Sequence, residues 1–360
     1  MAKMGQTGYG KASVSPKWVL LALNVAAMLI VPSTAYAHEK WFVDDSAYPL
    51  QFDLLFSLPV AVSIVVAALA LVLLVVIRGV VRDPLFPDPP WLQPVNASIP
   101  AVLGIQTAIS LVYMAVQRWL LAPTLAVTPD VIGITLLGLQ LLVSLTFITG
   151  WFTRLGGAVL IGLVLVAALF FPLSLVAEQL LFVGIGIYFL IRGRGLFQPY
   201  GALSRRASAF WRRYARAALP VLRIFTGLSI LWLAFSEKLL NPKLALAFLD
   251  TRPEFNFMRL LGFTWFSDEL FVYGAAAVEA TVGILLIAGV LPRIVILFMW
   301  VPFNITIPLL PPEELLGHLP ILAVMYAVFL GEPSQLPDLS VASLAGQISI
   351  HGNPPAQVQE

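Results

Sequence analysis

Apolar residues in this chain run in blocks near 20 residues long, separated by short stretches that hold most of the charges and prolines. A block of that length spans the roughly 30 Å of hydrocarbon in a bilayer as an α-helix. Nine blocks follow the first 50 residues, at about 51–77, 99–121, 131–149, 154–171, 174–191, 219–239, 269–289, 293–310 and 315–330. The alternating ten-residue segments of a membrane β-barrel are absent. The pattern therefore predicts an all-α polytopic integral membrane protein. Composition agrees: 59% of residues are hydrophobic, 11% are charged and the mean hydropathy is +0.92, outside the range of soluble domains.

The first 37 residues follow a different rule. Lys3, Lys11 and Lys17 precede an apolar stretch from Trp18 to Val31, Pro32 ends it, and Ala35-Tyr36-Ala37 supplies small residues at the cleavage positions. That is the pattern of a secretory signal peptide, or of an uncleaved signal anchor. Cleavage after Ala37 would leave His38 as an outer amino terminus. Arg78, Arg82, Arg154, Arg293 and the arginine-rich linker then fall on the cytoplasmic side, as the positive-inside bias requires. The expected location is a bacterial inner (plasma) membrane, with the C-terminal tail in the cytoplasm.

The second half of the chain repeats the first. Segment 138–192 aligns without a gap to 277–331, 139 positions on, and 100–118 aligns to 220–238, 120 positions on. Few paired residues are identical, so the register rests on the turn residues: Gly150 meets Gly289, Arg154 meets Arg293 and Pro172 meets Pro311. With both copies starting and ending in the cytoplasm, these are parallel repeats. The expected organisation is a signal segment 1–37, a periplasmic segment with one helix and a loop over 38–97, and a degenerate four-helix repeat over 98–197. A basic linker 198–217, a second four-helix repeat 218–331 and a tail 332–360 follow. Linker residues 203–217 read either as an amphipathic surface helix or as a plain positive-inside loop. Arginines alone do not argue for nucleic acid, and the partner this composition calls for is a lipid bilayer.

Charge separates the two copies. Gln117, Gln140 and Gln179 in the first face Glu237, Glu279 and His318 in the second. A charge inside a membrane is expensive and is rarely kept without a use, so the second repeat is the expected seat of function and the first the scaffold. Glu279 lies about ten residues into its span, where a carboxylate either finds a cation or holds its proton. It reads as a helix fastener or as a proton-carrying, ligand-binding group. Glu237 and Lys238 are neighbours at the end of the sixth span, and adjacent helical residues point about 100° apart, so at least one should face the bundle. Arg154 and Arg293, present in both copies, read as architectural. Pro302, Pro308, Pro311 and Pro312 interrupt the eighth span around Asn304, which suggests irregular backbone lining a polar cavity. Glu314 and His318 share one face of the ninth helix, and Glu313 lies beside them. A copper site from His38, its free amine and His318 is a further candidate metal centre. The outer loop after the sixth span is 19 residues longer than its counterpart (139 − 120 = 19) and is placed to cover Glu237, Lys238 and His318. There is no cysteine, which excludes thiol, iron–sulfur and thiolate-metal chemistry on this chain.

The second repeat resembles the DoxX-like family of small four-helix bacterial membrane proteins. The resemblance rests on Arg223 with Gly227, on Glu237-Lys238, on Glu279 with Gly283, and on the turn Gly289-Val-Leu-Pro-Arg293. It implies a tandem duplicated member, with two parallel four-helix bundles plus one N-terminal transmembrane helix. It also implies a membrane subunit associated with redox enzymes, some relatives being linked to quinone-coupled thiosulfate oxidation and others to oxidative-stress complexes. On that footing the expected function is an accessory or quinone-interacting subunit with a membrane or periplasmic oxidoreductase partner. Its site would be Glu279 as the proton-carrying group with Glu237, Lys238, Asn304, Glu314 and His318 around the ligand. A transporter or binding protein for a small solute or metal ion, and a non-catalytic scaffold, are the alternatives.

Overall fold

The computed structural model describes residues 39–80, 95, 96, 98–193, 210, 211, 213–306 and 312–331. The signal segment, His38, most of the basic linker and the tail from residue 332 lie outside these, and so do the side chains of Glu313 and Glu314. Nine principal helices occur among the described residues: α1 Leu58–Val80, α2 Ile99–Val116, α3 Val131–Thr149, α4 Thr153–Phe170, α5 Leu180–Arg192, α6 Ala218–Leu233, α7 Asp268–Ala288, α8 Pro292–Thr306 and α9 Pro312–Leu330. The sole β-pairing among these residues is an isolated bridge between Trp119 and Ala126. Among the described residues six helical stretches are long and apolar enough to cross a membrane, and three shorter apolar helices accompany them. The protein is an all-α polytopic membrane protein.

Helix boundaries follow from the local sequence. α3 and α7, the second helices of the two repeats, are framed alike. Asp130 and Ser267 cap their starts by accepting from Gly133 N (2.8 Å) and Leu270 N (3.2 Å), and both end on a left-handed glycine, Gly150 (φ 78°) and Gly289 (φ 72°). Two residues later Phe152 (φ 53°) and Leu291 (φ 46°) are again left-handed at matching positions, so the repeat extends to an unusual backbone turn. Arg154 and Arg293 behave as a pair too. The first donates through Nε to Leu190 O (3.1 Å) and the second to Phe329 O (2.9 Å), again 139 residues apart. Each arginine satisfies orphan carbonyls at the end of its repeat's last helix, not at its own turn.

Packing between the halves is reciprocal. α2 packs on α9 and α6 packs on α5, so the first helix of each repeat lies against the last helix of the other. That is the isologous arrangement of a two-fold dimer made within one chain. α1 packs on α7, with Val60, Ser63 and Ala67 buried and Ala70, Leu71 and Leu74 partly buried, while most of its other apolar side chains are exposed, as a lipid-facing helix requires. Several expected boundaries shift, and the second span ends at Val116, short of the expected 121. The first span starts at Leu58, after a short 3₁₀ turn Phe52–Phe56, with Pro59 in its first turn. The fifth divides into a short helix Leu173–Ala177 and α5, with Glu178 and Gln179 at the break.

Where helices cross closely, glycine is the reason. A Cβ on Gly227 of α6 would stand 2.7 Å from Gly283 O of α7, and one on Gly283 would stand 2.8 Å from Gly227 O. Gly227→Ala is therefore expected to force α6 and α7 apart, lowering stability by about 1–3 kcal/mol. Gly138→Ala on α3, where a Cβ would meet open space, is the control and should stay within about 0.5 kcal/mol of the parent. Unfolding of the detergent-solubilised variants measures the difference.

Candidate functional site

The end of α6 is unwound into a π-helical turn, Ala234–Leu239. Such turns widen the helix and recur at functional sites. Here the widened turn buries two neighbours at once: Glu237 is 1% exposed and Lys238 is 8% exposed. The Lys238 ammonium lies 2.8 Å from Glu39 Oε1, 3.1 Å from Glu279 Oε2 and 4.0 Å from Glu237 Oε2. Glu279, midway along α7, has thus found a cation. Glu39 arrives from a short N-terminal helix, Glu39–Phe42, and its neighbour Lys40 makes a second buried ion pair, with Glu178 of the first repeat. Ser236 Oγ donates to Glu178 Oε1 at 3.0 Å, and Ser229 Oγ donates to the Glu178 carbonyl. The N-terminal stretch is fixed above the π turn by Gln51 N donating to Leu240 O (2.9 Å) and Asn241 Nδ2 donating to Tyr48 O (2.7 Å). Burial pushes the Glu39 carboxyl up to about 7. Lys238 opposes that rise and the charge of Glu237 adds to it.

Below this cluster lies a cavity of about 540 Å³. Four positions of the first repeat and their equivalents 139 residues on share its wall: Glu178 with Gly317, Gln179 with His318, Leu181 with Pro320 and Phe182 with Ile321. The cavity therefore sits where the two halves meet. α6 contributes Thr226, Ser229, Ile230 and Leu233, and α7 contributes Ala275, Val278 and Val282. The long loop after α6 closes the wall with Phe248, Phe255, Phe257, Met258 and Phe266. Asn256 holds that loop by donating to Phe266 O (3.2 Å) and Asp268 Oδ1 (2.8 Å), and Arg259 pairs with Asp268 at 3.1 Å. The result is an apolar chamber with charged groups along part of its wall, a shape that suits an amphipathic molecule with one hydrogen-bonding head.

The first repeat fills the corresponding space with its own chain. Its short loop folds back through the Trp119–Ala126 bridge and buries Leu120, Leu121, Ala122 and Leu125. Gln140, at the position of Glu279, clamps that loop. Its Oε1 accepts from Leu121 N (2.9 Å), and its Nε2 donates to Leu111 O (2.9 Å) and Trp119 O (3.2 Å). On α2, Tyr113 packs edge-on against Trp119, at the position equivalent to cavity-lining Leu233.

The cavity thus brings together Glu237, Lys238, Glu279 and His318. Asn304, expected among them, does not join. α8 runs unbroken through Pro302 to Thr306, leaving Asn304 exposed with its amide donating to Trp300 O of its own helix (2.7 Å). The side chain of Glu314, the prolines Pro308 and Pro311, and the copper candidate His38 lie outside the described residues. Among the described residues no three His, Asp or Glu side chains are arranged to hold a metal ion. Three site residues escaped the sequence pattern: Glu39, Lys40 and Glu178. The last of them belongs to the first repeat, the expected scaffold, and lines the cavity from there. Its equivalent is Gly317, so a search for charge in the second copy alone passes over it. No protein-family model matches the chain, and neither a curated protein nor a solved structure is similar to it.

Breaking a buried pair from one side strands the other charge, which costs about 3–5 kcal/mol. Lys40→Met is expected to lose that much, and the double variant Lys40→Met/Glu178→Gln to recover most of it. Unfolding free energies of the two variants and the parent decide the point.

Proposed function

We propose that the protein is a DoxX-like subunit of a bacterial inner-membrane redox system, and that its cavity holds a quinone-type ligand. The observation that carries this reading is the joining of one buried lysine and its carboxylates to an apolar, aromatic-walled chamber between the repeats. A ring carbonyl accepts a hydrogen bond from the Lys238 ammonium. A ring hydroxyl, the reduced form of the same group, donates to Glu279. The isoprenoid or alkyl portion lies along the phenylalanines of the long loop and of α5 and α7. Glu279 is the half-buried carboxyl nearest the ligand head and the group able to exchange a proton with it. In this reading the chain binds and positions the ligand, and an oxidoreductase partner supplies the electron transfer. The mature amino terminus and the cavity mouth face the outer side.

A second reading shares the geometry. Transporters place their substrate where internal repeats meet, and the cavity occupies such a place, so a small amphipathic solute carried across the membrane is the alternative. Binding separates neither reading, but uptake into proteoliposomes favours the second.

Titration of the purified protein with a short-chain benzoquinone analogue, followed by tryptophan quenching, tests the proposal. Saturable binding is expected. Lys238→Met and Glu279→Gln should each weaken it about tenfold or more, the loss of about 1.4 kcal/mol of hydrogen bonding to a charged group. Val282→Trp, which fills the cavity from α7, should abolish it. Binding that ignores all three substitutions would refute the site.

A further inference from the structure

The N-terminal helix brings Glu39 into the wall of the cavity, between the Glu237 carboxyl and the Lys238 ammonium. We infer that Glu39 is a proton-exchanging group of this site: when a ligand head engages Lys238, Glu39 takes up a proton from solvent and shares it with Glu237. The inference rests on the reading of the cavity as a binding site for an amphipathic carbonyl compound.

An ammonium has three N–H donors and no acceptor. In the structure Lys238 lies within hydrogen-bonding reach of Glu39 at 2.8 Å and Glu279 at 3.1 Å, with Glu237 at 4.0 Å. A carbonyl that takes the place of Glu39 at Lys238 leaves that carboxyl without its cation. The carboxylates differ in what they can do next. Glu279 is about one-third exposed and meets the cavity, whereas Glu39 and Glu237 are 11% and 1% exposed at the side chain. A buried carboxylate that loses its cation recovers by taking a proton. The Glu39 and Glu237 carboxyls adjoin each other, so a proton taken up by one can be shared as a hydrogen bond to the other.

The other charges near Glu39 do not substitute for Lys238. Lys40, next in the chain, is engaged by Glu178. The N-terminal helix packs on the loop helix Pro242–Thr251, whose charged residues Lys243 and Asp250 are exposed. His318 lines the same cavity from α9. Burial already lifts the Glu39 carboxyl to about 7, so the free protein is poised between its two states near neutral pH. Moving the carboxyl away from the Lys238 ammonium, which opposes the rise, lifts it further. The sign follows from linkage: binding that takes up a proton is strongest below the free-state value and weakens above it, by up to about tenfold per pH unit for one proton.

The test is calorimetric titration of the full chain with the short-chain benzoquinone analogue between pH 6 and 9, at each pH in two buffers of different ionisation enthalpy. The expected result is uptake of between one-half and one proton per bound ligand near pH 7.5, with affinity falling as pH rises. Glu39→Gln should abolish both the proton uptake and the pH slope, and Glu39→Asp should restore them. Binding by the parent without proton uptake, or uptake that survives in E39Q, overturns the inference while leaving the cavity reading intact. No binding by the parent at any pH overturns the cavity reading and this inference with it. The parent's proton count decides the matter even if E39Q does not fold.

Discussion

A lysine ammonium buried at the end of a membrane-spanning helix must be neutralised, because an unpaired charge in an apolar setting costs several kcal/mol. Much of the architecture at this end of the bundle answers that demand. The π turn of α6 is what turns Lys238 inward beside Glu237. α7 places Glu279 opposite, and the N-terminal helix closes the set with Glu39. Lys40 then faces the same problem and meets Glu178 across the boundary between the repeats. Two cations and four carboxylates from four separate regions of chain are thus mutually dependent. Truncating any one leaves a partner stranded, so this end of the molecule has few partial solutions.

The duplication shows how one scaffold yields both a plug and a cavity. The framing is shared: polar N-caps, left-handed glycines at Gly150 and Gly289, and the arginine caps at Arg154 and Arg293. What differs is the loop after the first helix of each repeat. The short one turns inward and is clamped by Gln140, whose neutral amide suits backbone carbonyls as a donor and a backbone N–H as an acceptor. The long one supplies aromatic side chains to the cavity wall instead, and the position of Gln140 is taken by a glutamate that answers a lysine. Loop length and one amide-to-carboxylate exchange are therefore linked consequences of leaving the space open.

Much of this was legible from hydropathy and turn residues. Blocks near 20 residues long are direct readings of bilayer thickness, and Gly-x-x-x-Arg turns at a fixed offset located the repeat before any contact was known. Intramembrane charge also pointed to Glu237, Lys238 and Glu279, because the cost of burial makes such residues informative wherever they stand. The remainder depends on pairings over long distances in sequence. Lys40 meets Glu178 across 138 positions, and a Glu-Lys pair beside Trp41 and Phe42 looks locally like an interfacial anchor. The break in the fifth span is similarly hidden, since Glu178-Gln179 follows an apolar stretch that reads as continuous helix. Asn304 failed for the converse reason. Proline near a polar residue suggested irregular backbone, but α8 continues through Pro302 and the amide turned to its own helix.

The N-terminal segment joins the two repeats at this end of the molecule. Glu39 pairs with Lys238 of the second repeat and its neighbour Lys40 with Glu178 of the first. The segment is therefore an ionic tie between the repeats, and it supplies one charged side of the cavity wall. Natural sequences break local rules mainly where function requires it. Here the broken rules are a π turn, a split helix and six ionisable side chains gathered at one end of an apolar bundle. They gather around one cavity at the boundary between the repeats.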